Sequence, residues 1–352
     1  MNELLAMEAE GELDGKIGRP RIGFLGVGWI GRHRMQAMID SGLATAAAVA
    51  DLSPDNLREA LQVAPGATEA ESLDALLDMD LDGIVIATPS ALHAAQSIEA
   101  LDRGIAVFCQ KPLGRSALEV QAVVDTARKA DRLLGVDLSY RFTAGMQAIR
   151  DRIGEGALGA VHGVDLVFHN AYGPDKPWFY DPAQSGGGCM MDLGVHLVDL
   201  ALWALDFPGV VAVDSALFAQ GAPLRDRTAQ VEDYGVATLR LTTGAVVRIA
   251  CSWNLHAGQE AVIGAEFHGA QGGAAMRNVG GSFYDFEAHA MQGTSRTLLA
   301  SGDDPWGGRA AVDWARSLAS GGRFDPAAER LVDVATTLDQ IYEAAMRPTS
   351  ST

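Results

Sequence analysis

At 352 residues, 48% hydrophobic and 20% charged, the chain has a globular composition and length for two domains. A net charge of −18 argues against nucleic acid or an anionic membrane as partner, because both need basic patches. Cys109, Cys189 and Cys251 are scattered, fit neither a disulfide framework nor a Cys-x-x-Cys metal pattern, and point to a reducing cytoplasm. No run approaches the ~18 uncharged apolar residues of a membrane span.

Residues 1–20 carry Glu3, Glu8, Glu10, Glu12 and Asp14 and lack the basic start and apolar centre of a signal peptide. They read as a loose extension. The apolar run that follows feeds Gly26-Val27-Gly28-Trp29-Ile30-Gly31, and a helix is expected over residues 31–39. This strand, Gly-x-Gly-x-x-Gly and helix order is the dinucleotide fingerprint. Gly26 permits the tight turn, Gly28 the approach of a pyrophosphate, and Gly31 close helix packing. Free N–H groups at the helix start favour the phosphates. A second apolar run, residues 45–50, ends in Asp51, twenty residues past Gly31. Its carboxylate suits the ribose hydroxyls and repels a 2′-phosphate, and no arginine follows to welcome one, so NAD is expected over NADP.

Residues 55–63 and 72–79 read as helices, 83–87 as a buried strand, 91–103 as a helix and 105–109 as a strand. Ser116 and Glu119 form a capping box for a helix to about residue 130, and 133–138 is a further strand. The alternation implies a doubly wound parallel sheet with its ligand at the carboxyl ends of the strands. Those ends carry the glycine turn, Asp51, Thr88-Pro89-Ser90, Gln110-Lys111-Pro112 and Tyr140-Arg141-Phe142. Lys111 is a candidate catalytic group, since a desolvated lysine loses its proton readily and can hydrogen-bond a substrate oxygen. The alternative is a surface lysine at a strand end.

After Phe142 the pattern changes. A helix over 144–153 leads into alternating strands, near 162–168, 210–218, 231–241, 245–253, 261–268 and 282–286, which suggest a mainly antiparallel sheet with one open face. Within this half, residues 186–188 are glycines and an apolar helix follows. Asp192, His196 and Asp199 fall at i, i+4 and i+7 on one helical face. Either Asp192 and His196 form a satisfied structural pair, or Asp192 sets the tautomer of a proton-transferring His196. No second histidine stands at ligand spacing, so no metal is expected. A last helix, 326–346, presents an apolar stripe and is expected to pack under the sheet.

Together these motifs resemble the glucose–fructose oxidoreductase, inositol dehydrogenase and rhizopine-catabolism (Gfo/Idh/MocA) family. The resemblance rests on Gly26 to Gly31, Thr88-Pro89 with His93, Cys109-Gln110-Lys111-Pro112, Tyr140-Arg141-Phe142 and the run from Gly186 to Trp203, and spans about residues 21–346. It implies a Rossmann domain over 21–143 and, over 144–352, an α/β substrate domain with an open-faced sheet through which homodimers or homotetramers form. It further implies oxidation of a sugar or cyclic polyol hydroxyl, or the reverse reduction, with a nicotinamide cofactor. Lys111, Asp192 and His196 fall on its catalytic positions. Gly26, Gly28, Trp29, Ile30, Asp51, Thr88, Pro89, Ser90, His93, Gln110, Lys111 and Arg141 are the expected cofactor contacts. The peptide before Pro112 is expected to be cis. Gln110 departs from the family's usual glutamate, and an altered lysine basicity or pH optimum is expected from the lost charge. Tyr172 and Trp178 are candidates to line the substrate pocket, and the segments 170–185 and 293–309 to select the sugar. Rival readings are an imine or activated-alkene reductase, a non-catalytic sensor of dinucleotide and sugar, and a NAD-dependent glycosidase.

Overall fold

The computed structural model describes residues 18–347, and residues 1–17 of the expected extension lie outside it. The first half builds a six-stranded sheet from β1 (Arg21–Leu25), β2 (Thr45–Ala50), β3 (Thr68–Glu69), β4 (Gly83–Ile86), β5 (Ala106–Cys109) and β6 (Leu134–Val136). The order is β3-β2-β1-β4-β5-β6 and every pairing is parallel. Every residue of β4 and β5 is buried, as unbroken apolar runs require when helices cover both faces. The connecting helices are α1 (Trp29–Asp40), α2 (Pro54–Val63), α3 (Leu73–Leu77), α4 (Ser90–Asp102) and α5 (Ala117–Ala130). Strand order reverses between β1 and β4, and the crevice outside their carboxyl ends is where such sheets bind ligands. The capping box of α5 is only half made. Ser116 Oγ accepts from the Glu119 N–H, but the Glu119 carboxylate turns to the Arg115 N–H and guanidinium.

The second half builds a nine-stranded sheet from β7 (Val161–Asn170), β8 (Val210–Ala219), β9 (Ala222–Pro223), β10 (Tyr234–Leu241), β11 (Val246–Ser252), β12 (Ala261–Gly269), β13 (Gly273–Asn278), β14 (Phe286–Gln292) and β15 (Ser295–Ala300). Its order is β15-β14-β13-β12-β7-β11-β10-β8-β9, antiparallel throughout except for β7 beside β11. One face packs on α6 (Ala144–Gly154), α7 (Val195–Ala204) and α9 (Arg330–Met346). The other stays open. Along β10, Tyr234, Val236, Thr238 and Arg240 face outward while Gly235, Ala237, Leu239 and Leu241 are buried.

Three features depart from the sequence expectation. The strand expected at 282–286 begins only at Phe286, because Ser282 Oγ accepts from the N–H groups of Tyr284 and Asp285 and makes a turn. Strands β3, β9, β13 and β15 and helix α8 (Arg309–Ala319) have no counterpart in the expected element series. Helix α8 returns to the first sheet, where Trp314 packs over Phe108 at 5.8 Å between ring centroids. A division at residue 143 therefore separates the two sheets but not their cores, since Ala310, Ala311, Trp314 and Ala315 complete the first. Among the described residues no helix is long and apolar enough to cross a membrane.

Candidate active site

A cleft of about 1300 Å³ runs from the glycine turn to the helices and loops of the second half. Gly26 has φ +80°, and a Cβ there would stand 2.5 Å from the Ala87 carbonyl oxygen. Gly28 differs: a Cβ would meet only the Asn56 amide, at 3.9 Å, so the space above it is open to the cleft. Such a cradle fits the pyrophosphate of a dinucleotide, at the start of α1. Asp51 is oriented before any ligand arrives. Its Oδ2 accepts from the Val27 N–H at 2.7 Å, and its Oδ1 from the Ser53 N–H at 2.8 Å and Asn56 Nδ2 at 3.1 Å. Trp29, Ile30, Thr88, Pro89 and Ser90 line the same end.

Farther along, the Lys111–Pro112 peptide is cis. Lys111 Nζ donates to Asp192 Oδ1 at 2.6 Å and to the Asp192 carbonyl at 2.7 Å. Asp192 Oδ2 accepts from Trp253 Nε1 at 3.1 Å. Residues 190–194 form one π-helical turn ahead of α7. His196 lines the cleft, is 6% exposed, and rests edge-on against Tyr140 at 4.9 Å between centroids. Its Nδ1 is buried without a partner. Burial, with the charges of Lys111 and Arg34 nearby, holds its pKa well below the ordinary 6.5. The imidazole is therefore uncharged at neutral pH.

The i, i+4 pairing of Asp192 with His196 is not made. Asp192 is committed to Lys111 and Trp253, partners 81 and 61 residues away, whereas His196 turns to an aromatic wall. The π turn between them also departs from ideal helical spacing. Asp199 faces away from the cleft and takes the Arg141 guanidinium, Nε to Oδ2 at 2.8 Å. Arg141, an expected cofactor contact, has its guanidinium held here by Asp199. It sits over Trp203 and Phe207 and does not line the cleft. Tyr172 is likewise outside, half exposed against Phe283. His93 reaches the cleft wall, but its ring nitrogens lie 2.7 Å from the carbonyl oxygens of Thr88 and Pro112. Burial lowers its pKa, so the neutral ring carries one N–H and donates to one of these two carbonyls.

The remaining expectations converge. Gln110 and Lys111 line the cleft, and Trp178 does so with Lys176 and Trp306, all three from the segments singled out for selectivity, and with Tyr284 from outside them. Sequence reasoning missed Trp253, Asn56 and Glu232. Glu232 is 1% exposed, and its Oε1 accepts from the N–H groups of Gly188 and Met190 at 2.9 Å each and from Tyr342 Oη at 2.7 Å. It thus anchors the segment that carries Asp192. It lies between Gln230 and Asp233 in a polar stretch, so nothing in the sequence set it apart.

Fold and cleft together define a two-domain scaffold whose first domain has the form of a dinucleotide-binding domain. Residues 20–138 match the model of the oxidoreductase family with an NAD-binding Rossmann fold, and residues 146–275 match the GFO/IDH/MocA C-terminal domain. Inositol 2-dehydrogenase of Rhizobium meliloti (strain 1021) is 31% identical over 263 residues, 73% of this chain and 76% of that protein. The chain belongs to the Gfo/Idh/MocA family. D-glucoside 3-dehydrogenase of Escherichia coli (strain K12) is 26% identical over 211 residues, 57% of this chain and 60% of that protein. The match spans 55% to 60% of the length of this relative and of three others like it. Among solved structures, levoglucosan dehydrogenase in complex with NADH and levoglucosan superposes with a TM-score of 0.79 at 21% identity, over 93% of this chain and 97% of that one. Aldose-aldose oxidoreductase from Caulobacter crescentus gives 0.80 at 21%, over 93% and 98%.

Proposed function

We propose that the protein is an NAD-dependent dehydrogenase that oxidises a secondary hydroxyl of a sugar or cyclic polyol, or reduces the matching ketone. One observation carries the reading: the Lys111–Asp192 pair and an uncharged His196 line the same continuous cleft as the glycine turn and Asp51. The relatives named as inositol and glucoside dehydrogenases support the substrate class. The bound nicotinamide supplies the hydride acceptor in oxidation. Lys111 commits two N–H groups to Asp192, which leaves its third to hold the substrate oxygen. His196 takes the hydroxyl proton, and the ammonium steadies the negative charge that develops on oxygen. Asp192, braced by Trp253, fixes the direction of Lys111. Asp51, aimed by three donors, favours NAD over NADP.

The open face of the second sheet supports a homodimer or homotetramer. Three buried, unpaired cysteines are consistent with a reducing cytoplasm. The deciding experiment follows absorbance at 340 nm across a panel of cyclic polyols and sugars, with NAD and NADP in parallel. NADH formation with one substrate class is expected. Tight NAD binding without turnover on any substrate would overturn the dehydrogenase reading in favour of a sensor. Released sugar without net NADH would identify a glycosidase.

A further inference from the structure

Gln110 is 7% exposed and lines the cleft beside Lys111. Its Nε2 donates to Asp137 Oδ2. Asp137 is 1% exposed; the same oxygen accepts from Arg34 Nε at 2.6 Å, and Oδ1 accepts from Ser139 Oγ at 2.8 Å. Arg34, 5% exposed, sits at the back of the cleft. A carboxylate only accepts hydrogen bonds, so the amide must give Asp137 its NH₂ edge. The carbonyl Oε1 is then the edge left for the cleft. We propose that Asp137, held by Arg34, is a positioning residue that locks Gln110 as a fixed acceptor for an O–H or N–H donor on the nicotinamide half of the cofactor. The inference rests on the dinucleotide reading above.

The arrangement also accounts for a glutamine at this position. A glutamate would place two carboxylates on one buried arginine, which cannot neutralise both. This chain carries its buried negative charge at 137 and a neutral donor at 110. Exchanging the two should restore the charge balance around Arg34. When Gln110→Glu and Asp137→Asn are combined, one buried carboxylate again stands beside the Arg34 guanidinium, and the amide at 137 has an N–H for the carboxylate at 110. The second carboxylate oxygen at 110 then faces the cleft.

The test compares the full chain with Gln110→Glu, Asp137→Asn and the double variant, measuring NAD dissociation constants by calorimetry and melting temperatures without cofactor. Each single variant is expected to weaken NAD at least about tenfold and to melt lower. The double variant is expected to return to within about threefold of the parent affinity and to regain most of the melting temperature. Losses in the double variant equal to the product of the single losses would overturn the proposal. Recovered melting without recovered affinity would overturn the cofactor-facing role while leaving the pair itself. If a charged variant does not fold, Gln110→Met supplies the test. It keeps the length and removes both polar edges, so affinity should fall at least about tenfold with little change in melting, and parent-like affinity would overturn the proposal. A parent chain that binds no NAD would fail the dinucleotide reading itself, and the cofactor-free melts would still report the coupling of 110 with 137.

Discussion

Replacing Glu232 by alanine should destabilise the protein far more than replacing it by glutamine. In the parent, one carboxylate oxygen receives two backbone N–H groups and the Tyr342 hydroxyl, while Oε2 is buried without a partner. Alanine strands three buried donors. At about 1–3 kcal/mol per unsatisfied group, and with the Tyr342 hydroxyl free to turn elsewhere, the two backbone N–H groups cost about 2–6 kcal/mol. Glutamine keeps an acceptor in the same place and changes only the oxygen that had no partner, so it should cost less than about 1 kcal/mol. The pH dependence sharpens the contrast. Burial raises the Glu232 carboxyl above its ordinary range. A raised acid pKa means the folded form holds its proton longer than the unfolded form. Its contribution is therefore complete below the unfolded pKa and is lost as pH rises through the folded one. Glutamine removes that loss, so its stability curve should be flatter from about pH 4 upward. Urea denaturation of the three proteins across this range measures both effects. Equal destabilisation by alanine and glutamine would refute the acceptor argument and assign the role to the charge.

Three further predictions concern the cleft. Asp51→Ser removes the carboxylate that would repel a 2′-phosphate; screened charges a few ångströms apart are worth about 1–4 kcal/mol, so the NADP to NAD ratio of kcat/KM should rise at least about tenfold, and an unchanged ratio would show that Asp51 does not discriminate. His196 is held uncharged to well below pH 6.5, so kcat/KM for oxidation should show no loss from His196 protonation until well below pH 6.5. His196→Asn should lower turnover by about 10² or more with NAD affinity retained, and an unchanged turnover would remove His196 from proton transfer.

The dinucleotide half was legible in the sequence because its signals are local. A glycine turn needs backbone freedom within six residues, and Asp51 lies at the end of the next strand, so spacing alone locates both. The unbroken apolar runs of β4 and β5 announced a sheet covered on both faces. Lys111 was equally exposed by its place after a buried strand and before a proline.

What tertiary structure alone decided is which polar groups meet. Helical spacing suggested Asp192 with His196, but side chains pair by distance and direction in space, and Asp192 found Lys111 and Trp253 from two other elements. Arg141 stands at a strand end, as the cofactor contacts do, yet the buried carboxylate of Asp199 claims its guanidinium. Asp137 falls in the strand expected over 133–138 and carries no signal of its own until Arg34 and Gln110, 103 and 27 residues away, converge on it. Periodicity encodes which face of an element is buried. It carries no record of which buried charge will find which partner, because that pairing is fixed only when the sheets and helices close over it.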